Sequence, residues 1–561
     1  MKKLVFLSAV AVAALTSCGG KLGELSADNF KVVPNPLVAE SGQVPATING
    51  MFPEKYMAKK AVVTVTPELR FTDNGVETAV KGQSATFQGE KVLGNDQSIS
   101  YKVGGHYTMK ANFAYQPAMQ KSDLYLTFNA RVGKKEVQVP AVKVATGVIA
   151  TSELYRSTIT SANPCTSQDA FQRVNEQKFD ATIKFLIQQA ELRKSELKSN
   201  SVQEFTSLLK RIAKDQEGLN INNVEISAYA SPDGGVSLNE KLANKRQKNT
   251  ESYVKKQMKA AKIDANLSSQ YTAQDWEGFQ ELVKASNIQD KDVILRVLSM
   301  YQDPQEREQQ IKNMSQGFRE LADGILPELR RARMTINYET IGRDDDQIFA
   351  QYKEDASKLS VEELLYAASI ADTDAQREDI LKTTTNLYRE DSRAYNNLAV
   401  LAMQKGNKNA EAQKYLSMAR TLDAKNAEAN ANMGLLALQQ GDAKTAEDYI
   451  SRAAGANNLA EALGNLHLAQ GNYALAQQDF AGVNSNSAAL AQLLNKDYAR
   501  ATQTLANVKN PDAMTDYLNA IVNARQGNND AAASYLRSAI QKNPKLAQYA
   551  ANDLELSKVS K

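Results

Sequence analysis

The sequence predicts a multidomain chain, strand-rich at its start, α+β in its middle and all-helical at its end. Three observations predict it. Short runs of β-branched and aromatic residues, broken by Gly, Pro and Asn-Asp turns, fill residues 31–150. A strand, a tight turn and a long helix follow one another from Val224 onward. From about Ser360 the chain turns alanine-rich and repeats one spacing of small residues. At 561 residues and 42% hydrophobic, it is long enough for three or four domains, each standing on its own core.

At the start, Lys2 and Lys3 precede an apolar run over residues 4–15, too short to span a bilayer in a mature protein. That pattern is a secretion signal. The run closes on Leu15-Thr16-Ser17-Cys18, which resembles the lipobox of bacterial lipoproteins, where two small residues before a cysteine allow cleavage once the thiol carries lipid. The resemblance implies loss of residues 1–17, a lipidated Cys18 as the mature N-terminus, and firm anchoring, since each buried methylene contributes roughly 0.8 kcal/mol. With Cys18 lipidated, Cys165 has no partner for an intramolecular disulfide. Residues 18–30 read as a short tether. Gly19-Gly20-Lys21 carries no acidic run, which favours the outer membrane on its periplasmic face.

Residues 31–150 hold the strand signals Ala61-Val62-Val63-Thr64-Val65-Thr66, Ser98-Ile99-Ser100-Tyr101-Lys102-Val103 and Leu124-Tyr125-Leu126-Thr127-Phe128. They read as an antiparallel β-sandwich, immunoglobulin-like, serving as a spacer or docking module. Pro34, Pro36 and Pro53 suit edge or entry positions, where a missing N–H breaks no ladder bond.

The segment 151–345 carries the most specific signal. Val224-Glu225-Ile226-Ser227-Ala228-Tyr229-Ala230 alternates as a strand, Ser231-Pro232-Asp233-Gly234-Gly235 turns, and a helix follows over about 238–258. With Tyr229 at the aromatic position and Gly234, Asn239, Leu242 and Arg246 in register, this stretch resembles the OmpA C-terminal-like, peptidoglycan-binding family. A helix over about 201–215 and the arginine-led strand Arg330-Arg331-Ala332-Arg333-Met334-Thr335-Ile336 extend the resemblance. A helical stretch of about 276–329 reads as an insertion. The resemblance implies recognition of the diaminopimelate end of a stem peptide by an aspartate at the strand end and an arginine on the helix. Arg246 keeps the cation, able to bond a carboxylate bidentately. The aspartate position holds Ser231, and Asp233 is the candidate replacement. Ser231, Asp233, Asn239 and Arg246 thus form a candidate peptidoglycan site, with a domain kept for protein contacts as the other reading.

In residues 346–561, Gly434, Gly441, Ala446, Ile450 and Ala453 set a spacing that recurs at Gly464, Gly471, Ala476 and Phe480, and again at Ala520, Gly527, Ala532, Leu536, Ala539 and Pro544. Ala399 and Gly406 open an earlier copy, and Ala489, Ala501 and Leu505 mark a shortened one, with Lys496 at its turn. The array resembles a degenerate tetratricopeptide solenoid, in which small side chains let paired helices approach and neighbouring pairs bury one another's apolar stripe. The resemblance implies a concave face, built mainly from the first helix of each pair, that grips an extended peptide or helix of another envelope protein. Arg393, Asn396, Asn397, Glu428, Asn432 and Tyr517 are the candidate groove residues.

The sequence points away from catalysis. His106 and His467 are the only histidines and fall in different predicted domains, so no His/Cys metal cluster and no nucleophile–base set is expected. Gly104-Gly105 lies between strands and opens no phosphate-cradling helix. No cofactor is called for. A net charge of +3 gives no global field to attract nucleic acid. Trp276 reads as core of the inserted helices. The expectation is a non-enzymatic, lipid-anchored outer-membrane scaffold that works through its repeats, with a peptidoglycan tether as the alternative.

Overall fold

The computed structural model describes residues 22–288, 291–313, 320–406 and 408–559. The signal segment and Cys18 lie outside them. The chain divides into two compact units, one running through Gln168 and resuming at Ala368, the other being Asp169–Ala367. The boundaries expected at 150 and 345 therefore both move. Residues 151–168 belong with the repeats, because Leu154, Tyr155, Ile159 and Cys165 are buried in the repeat core.

The first unit opens with ten strands: β1 (Phe30–Val33), β2 (Leu37–Val38), β3 (Gln43–Phe52), β4 (Ala61–Asp73), β5 (Val76–Lys81), β6 (Ala85–Gly89), β7 (Gln97–Ile99), β8 (Gly105–Ala114), β9 (Ser122–Val132) and β10 (Lys135–Ile149). They make one sheet of order β1-β3-β8 and a second of order β2-β10-β9-β4-β6-β7, with β5 hairpinned onto β4. Period-two burial explains the pairing of layers. β3 turns Val44, Ala46 and Ile48 inward, β4 turns Val63, Val65 and Leu69 inward, and both sets share one core.

Two expectations fail here. The sheets are not purely antiparallel, since β2 pairs β10 and β6 pairs β7 in parallel. The strand expected over 98–103 stops at Ile99, and Tyr101 to Val103 turn instead. The turn ends on Gly104, at φ +71°, where a Cβ would sit 2.2 Å from the carbonyl oxygen of Phe52, so the alternating pattern resumes only in β8.

In the second unit, β11 (Val174–Lys184), β12 (Leu219–Tyr229), β13 (Asn266–Thr272) and β14 (Arg331–Ile341) form a sheet of order β11-β14-β12-β13, parallel only between β12 and β13. Two helices pack on it: α1 (Asn200–Lys214), which buries Val202, Phe205, Leu208, Leu209 and Ile212 at helical spacing, and α2 (Val236–Ala261), which contributes Val254 and Met258. Between β13 and β14, α3 (Trp276–Ala285), α4 (Lys291–Met300), α5 (Pro304–Asn313) and the turns of 321–329 close a separate small core around Phe279, Val283, Ile294 and Leu298. Trp276 lies edge-on to Phe279 at 5.6 Å, half-buried at the rim of that core. The helix α6 (Asp345–Asp355) follows β14, opened by an Asp344/Gln347 capping box.

The rest of the first unit is a row of antiparallel helices. A leading helix α7 (Asp374–Leu387) is followed by five hairpins: α8 (Ser392–Gln404) with α9 (Asn409–Leu422), α10 (Ala427–Gln439) with α11 (Ala443–Ile450), α12 (Leu459–Ala469) with α13 (Tyr473–Asp479), α14 (Asn486–Leu494) with α15 (Tyr498–Ala506), and α16 (Ala513–Arg525) with α17 (Asn529–Lys542). A closing helix α18 (Leu546–Asn552) ends the row. The small residues earn their spacing by contact: a Cβ on Gly434 would strike Ile450 at 2.4 Å, and one on Gly464 would strike the Phe480 ring at 2.5 Å. The five hairpin turns Gly406, Gly441, Gly471, Lys496 and Gly527 are all left-handed, at φ of 64° to 82°. Four hold glycine, and Lys496 takes the same conformation with a side chain. Lys496→Gly is therefore expected to stabilise the array by roughly 0.5–1 kcal/mol, read as a higher midpoint in urea unfolding with unchanged slope.

Candidate functional site

The groove side of the hairpins is not empty. Residues 151–168 run along it as a strap, with short helical turns over 151–161 and a non-helical stretch over 162–168, and the first helices of the leading hairpins supply the polar groups that the buried backbone of that stretch needs. Asn432 on α10 accepts from the Cys165 N–H at 2.7 Å and donates back to the Cys165 carbonyl at 2.8 Å. Asn396 on α8 donates to the same carbonyl at 2.9 Å and to Ser167 Oγ at 3.1 Å, while its own Oδ1 accepts from Asn432 at 2.9 Å. Asn397 accepts from the Ser167 N–H at 2.8 Å and donates to the Ser167 carbonyl at 2.9 Å. Asn396 and Asn432 are wholly buried. An amide side chain carries both donor and acceptor, so each can satisfy an extended backbone as a neighbouring strand would.

The contact continues along the array. Asn163 donates to Glu461 Oε1 on α12 at 3.1 Å, Thr158 shares a hydroxyl bond of 2.9 Å with Ser487 on α14, and Thr151 donates to Glu555 at 2.8 Å. At its first residues the strap also holds the two-sheet domain, through Gly42 N–H to Glu153 Oε1 at 2.9 Å and Ser152 Oγ to the Ala39 carbonyl at 2.6 Å. Burial pushes the Cys165 thiol up to about 12, so it stays neutral and unreactive. Burial also raises Glu461, the larger effect against its bonds to Asn163 and Ser485.

Of the groove candidates, Asn396, Asn397 and Asn432 meet on the strap. Glu428 is half-buried, with its charge felt at the Cys165 thiol. Arg393 pairs with Asp391 at 2.7 Å at the start of α8. Tyr517 stands apart: it is fully buried, bonded to Asp553 at 2.6 Å and edge-on to Tyr549, a core residue of the last hairpin and not a groove surface. Sequence reasoning missed Glu461 and Ser487, whose signal was a polar residue inside an otherwise Ala/Leu helix. It also missed the strap, whose aperiodic Ser/Thr/Asn composition gave no sign of a docked segment.

In the second unit, the spacing from Gly234 to Arg246 wraps α2 around the turn that follows β12. Asn239 spends both amide hydrogens on the turn, donating to the Ser231 carbonyl at 2.8 Å and the Gly234 carbonyl at 2.7 Å. Arg246 is 1% exposed and donates to the carbonyls of Tyr229 at 2.8 Å, Gln189 at 3.0 Å and Leu186 at 3.3 Å, with Phe185 under its plane. Burial first, and the Arg330 charge second, lower it to about 10, still protonated at neutral pH. The residue expected to meet a ligand carboxylate is committed to backbone behind the turn. Asp233 instead pairs with Arg330 at 3.1 Å and accepts from Ser231 Oγ, beside a cleft formed by Pro232, Trp276, Phe279, Lys312 and Leu326. Among the described residues no group of three His, Cys, Asp or Glu stands ready to hold a metal ion. His467 bonds Asp479 within its own hairpin, and His106 lies on β8.

No protein-family model matches the sequence. No curated relative matches it either. Solved structures with similar arrangements include a tetratricopeptide repeat protein from Parabacteroides merdae, at 14% identity over 44% of this chain and 99% of that one, with a TM-score of 0.28. The pilF protein of Pseudomonas aeruginosa is similar at 18% identity over 37% and 97%, with a TM-score of 0.27. The Cut9 and Hcn1 assembly of the APC/C is similar at 15% identity over 57% and 70%, with a TM-score of 0.30. The helical hairpins are read from this structure alone.

Two outcomes follow from the strap. Asn432→Ala leaves the Cys165 N–H buried without its acceptor, at about 1–3 kcal/mol, so the strap opens about tenfold more often or more. Trypsin cleavage after the exposed Arg156 is expected to accelerate by that factor, and an unchanged rate refutes the grip. Glu461 is raised in the folded chain, so its contribution is intact below about pH 4.5 and is lost as pH rises through its folded value. Glu461→Gln is expected to raise the melting temperature at pH 7–8, by about 1 kcal/mol of stability, and to make little difference at pH 4.

Proposed function

We propose that this chain is a non-enzymatic scaffold, lipid-anchored through Cys18 on the periplasmic face of the outer membrane, whose tetratricopeptide-like repeats recruit other envelope proteins. The observation that carries the reading is the asparagine grip: the array is built to hold extended backbone, and it holds its own. Four strap side chains, Leu154, Tyr155, Ile159 and Cys165, are buried in the repeat core, and burying each aliphatic or aromatic one contributes roughly 1.5–3 kcal/mol. Because the strap is covalently attached, a free peptide competes with an intramolecular occupant. A peptide from another protein faces both terms, so the groove serves the scaffold internally. Partners then engage the outward second helices, where Met418 and Leu422 on α9, Leu475 on α13 and Tyr535 on α17 are exposed. The two-sheet domain, immunoglobulin-like in this reading, sets reach, and the OmpA-like unit sets the position of the array in the envelope.

The test uses the full chain in its cell, with a photo-crosslinking amino acid at Met418, Leu475 or Tyr535. A discrete adduct of one partner mass is expected from at least one position in the outer-membrane fraction, with acyl groups on Cys18 by mass spectrometry. Absence of any adduct sinks the outward-face reading, and a Cys18 without lipid sinks the anchor independently.

A second reading, a tether to peptidoglycan, has one observation in its favour. Asp233 and Arg330 form a partly exposed acid–base pair beside a cleft, able to meet the ammonium and carboxylate of a zwitterionic amino acid while Arg246 holds the turn from behind. On this reading the full chain co-sediments with peptidoglycan sacculi and Asp233→Asn weakens that about tenfold, the value of one charge-assisted bond. Pelleting no greater than a carrier protein's rules the tether out.

A further inference from the structure

The two ends of the two-sheet domain differ in kind. At one end the ladders bring Phe52 opposite Gly105 and Ala61 opposite Val132, which gathers the loops 53–60, 90–96, 100–104 and 133–134. Lys55 N–H bonds the Tyr101 carbonyl at 2.6 Å, Lys91 N–H bonds the Lys59 carbonyl at 2.7 Å, and Gly133 N–H bonds the Lys60 carbonyl at 2.9 Å. The first described residues arrive at this same end: Tyr56 donates to the Gly23 carbonyl at 2.9 Å, and Leu22 and Leu25 are buried in the domain core. Leu22 stands four residues from Cys18, a reach of at most about 14 Å. The chain leaves the domain from the other end, where Ile149 of β10 passes into the strap.

The gathered loops expose apolar side chains that nothing in the unit covers. Leu93 is fully exposed at 102%, Val103 is 79% exposed and Tyr101 37%. Around them Lys55, Lys59, Lys60, Lys91, Lys102 and Lys134 are exposed. The carboxylates of these loops are fewer, and Glu54 lies 3.6 Å from Lys55 while Glu90 accepts from Ser100 Oγ. Single exposed apolar residues are ordinary. Apolar tips ringed by lysine at the end where a lipidated terminus emerges have the composition of a membrane-interfacial surface.

We propose that this end of the domain is a lipid-facing surface: Leu93, Val103 and Tyr101 enter the headgroup region of the leaflet that holds the Cys18 lipid, and the lysines meet anionic headgroup phosphates. The proposal rests on the anchoring reading, because it needs the bilayer within reach of Cys18. It turns attachment at a single point into a seated orientation, with β4 upright and the strap end directed away from the membrane.

The chain offers a clean probe, since Cys165 is buried and Cys18 is the only other cysteine. In the full mature chain with Cys18 replaced by a hexahistidine tag, Leu93→Cys carries an environment-sensitive fluorophore, and the protein is held on phosphatidylethanolamine/phosphatidylglycerol vesicles by nickel-chelating lipid. This tether works whether or not Cys18 is acylated in the cell, so failure of the anchor and failure of the surface are read separately. The control is Asn74→Cys in the turn between β4 and β5, about 40 Å away along the strands. The expected result is a blue-shifted emission at position 93, quenched by spin-labelled lipid, and aqueous emission at position 74. Replacing Lys55, Lys91 and Lys102 together by Glu is expected to abolish the shift. Aqueous emission at both sites, or equal shifts at both, overturns the proposal.

Discussion

A buried extended segment has backbone N–H and C=O groups pointing sideways with no ladder to join, and the first unit depends on how it answers that constraint. Asn397 and Asn432 answer it from the helices, each amide matching a backbone donor–acceptor pair on the strap, and Asn396 adds a second donor to the Cys165 carbonyl while accepting from Asn432. Hydrophobic anchoring alone could not do so, because each unpaired buried group costs about 1–3 kcal/mol and would cancel the gain from an apolar neighbour. With the backbone at Cys165 and Ser167 matched from the helices and residues 151–161 bonded within their own helical turns, Leu154, Tyr155 and Ile159 count as core, and the two-sheet domain, strap and repeats become one unit although some two hundred residues of another unit interrupt them in sequence.

The second unit uses the same solution with a charge in place of amides. Arg246 offers five N–H donors in a planar fork, and three backbone carbonyls from two different segments converge on it. A neutral side chain of that size supplies too few donors, so the position tolerates little else. The fixed spacing from Gly234 through Asn239 to Arg246 is thereby explained as geometry of the turn: one helix face reaches the turn at Asn239 and the strand end at Arg246. Asp233 of the same turn pairs with Arg330, and both side chains keep partial contact with solvent.

What the sequence made legible follows this division between local and long-range causes. Hairpin turns and close-packed glycines were legible, because a left-handed φ or a ring 2.5 Å from a missing Cβ restricts the residue at that position whatever surrounds it. The strand over β4 and the helix α1 were legible from period. Asn396, Asn397 and Asn432 were legible from their place on the first helix of a repeat pair, whereas their occupant was not, since a strap held by side chains from elsewhere needs no pattern of its own. Tyr517 misled because a tyrosine on a first helix has the same look whether its hydroxyl faces a groove or a buried Asp553. The end of the strand at Ile99 was hidden because Tyr101 and Val103 favour strands intrinsically, and only the close approach of Gly104 to the Phe52 carbonyl forces the turn.

The sequence separation of the strap from its groove sets an order of events during synthesis. Cys165 precedes Asn432 by 267 residues, so a chain made from the N-terminus presents the strap long before any helix exists to receive it. Closing so long a loop costs only slightly more entropy than closing a short one, but the wait is unavoidable, and through it Leu154, Tyr155 and Ile159 are available to holdase chaperones or to aggregation. The inserted unit has a sheet and cores of its own and nothing to wait for. The last part of the protein to become native is thus one of the first parts to be made, and any truncation that removes the repeats releases a sticky, uncovered segment into its compartment.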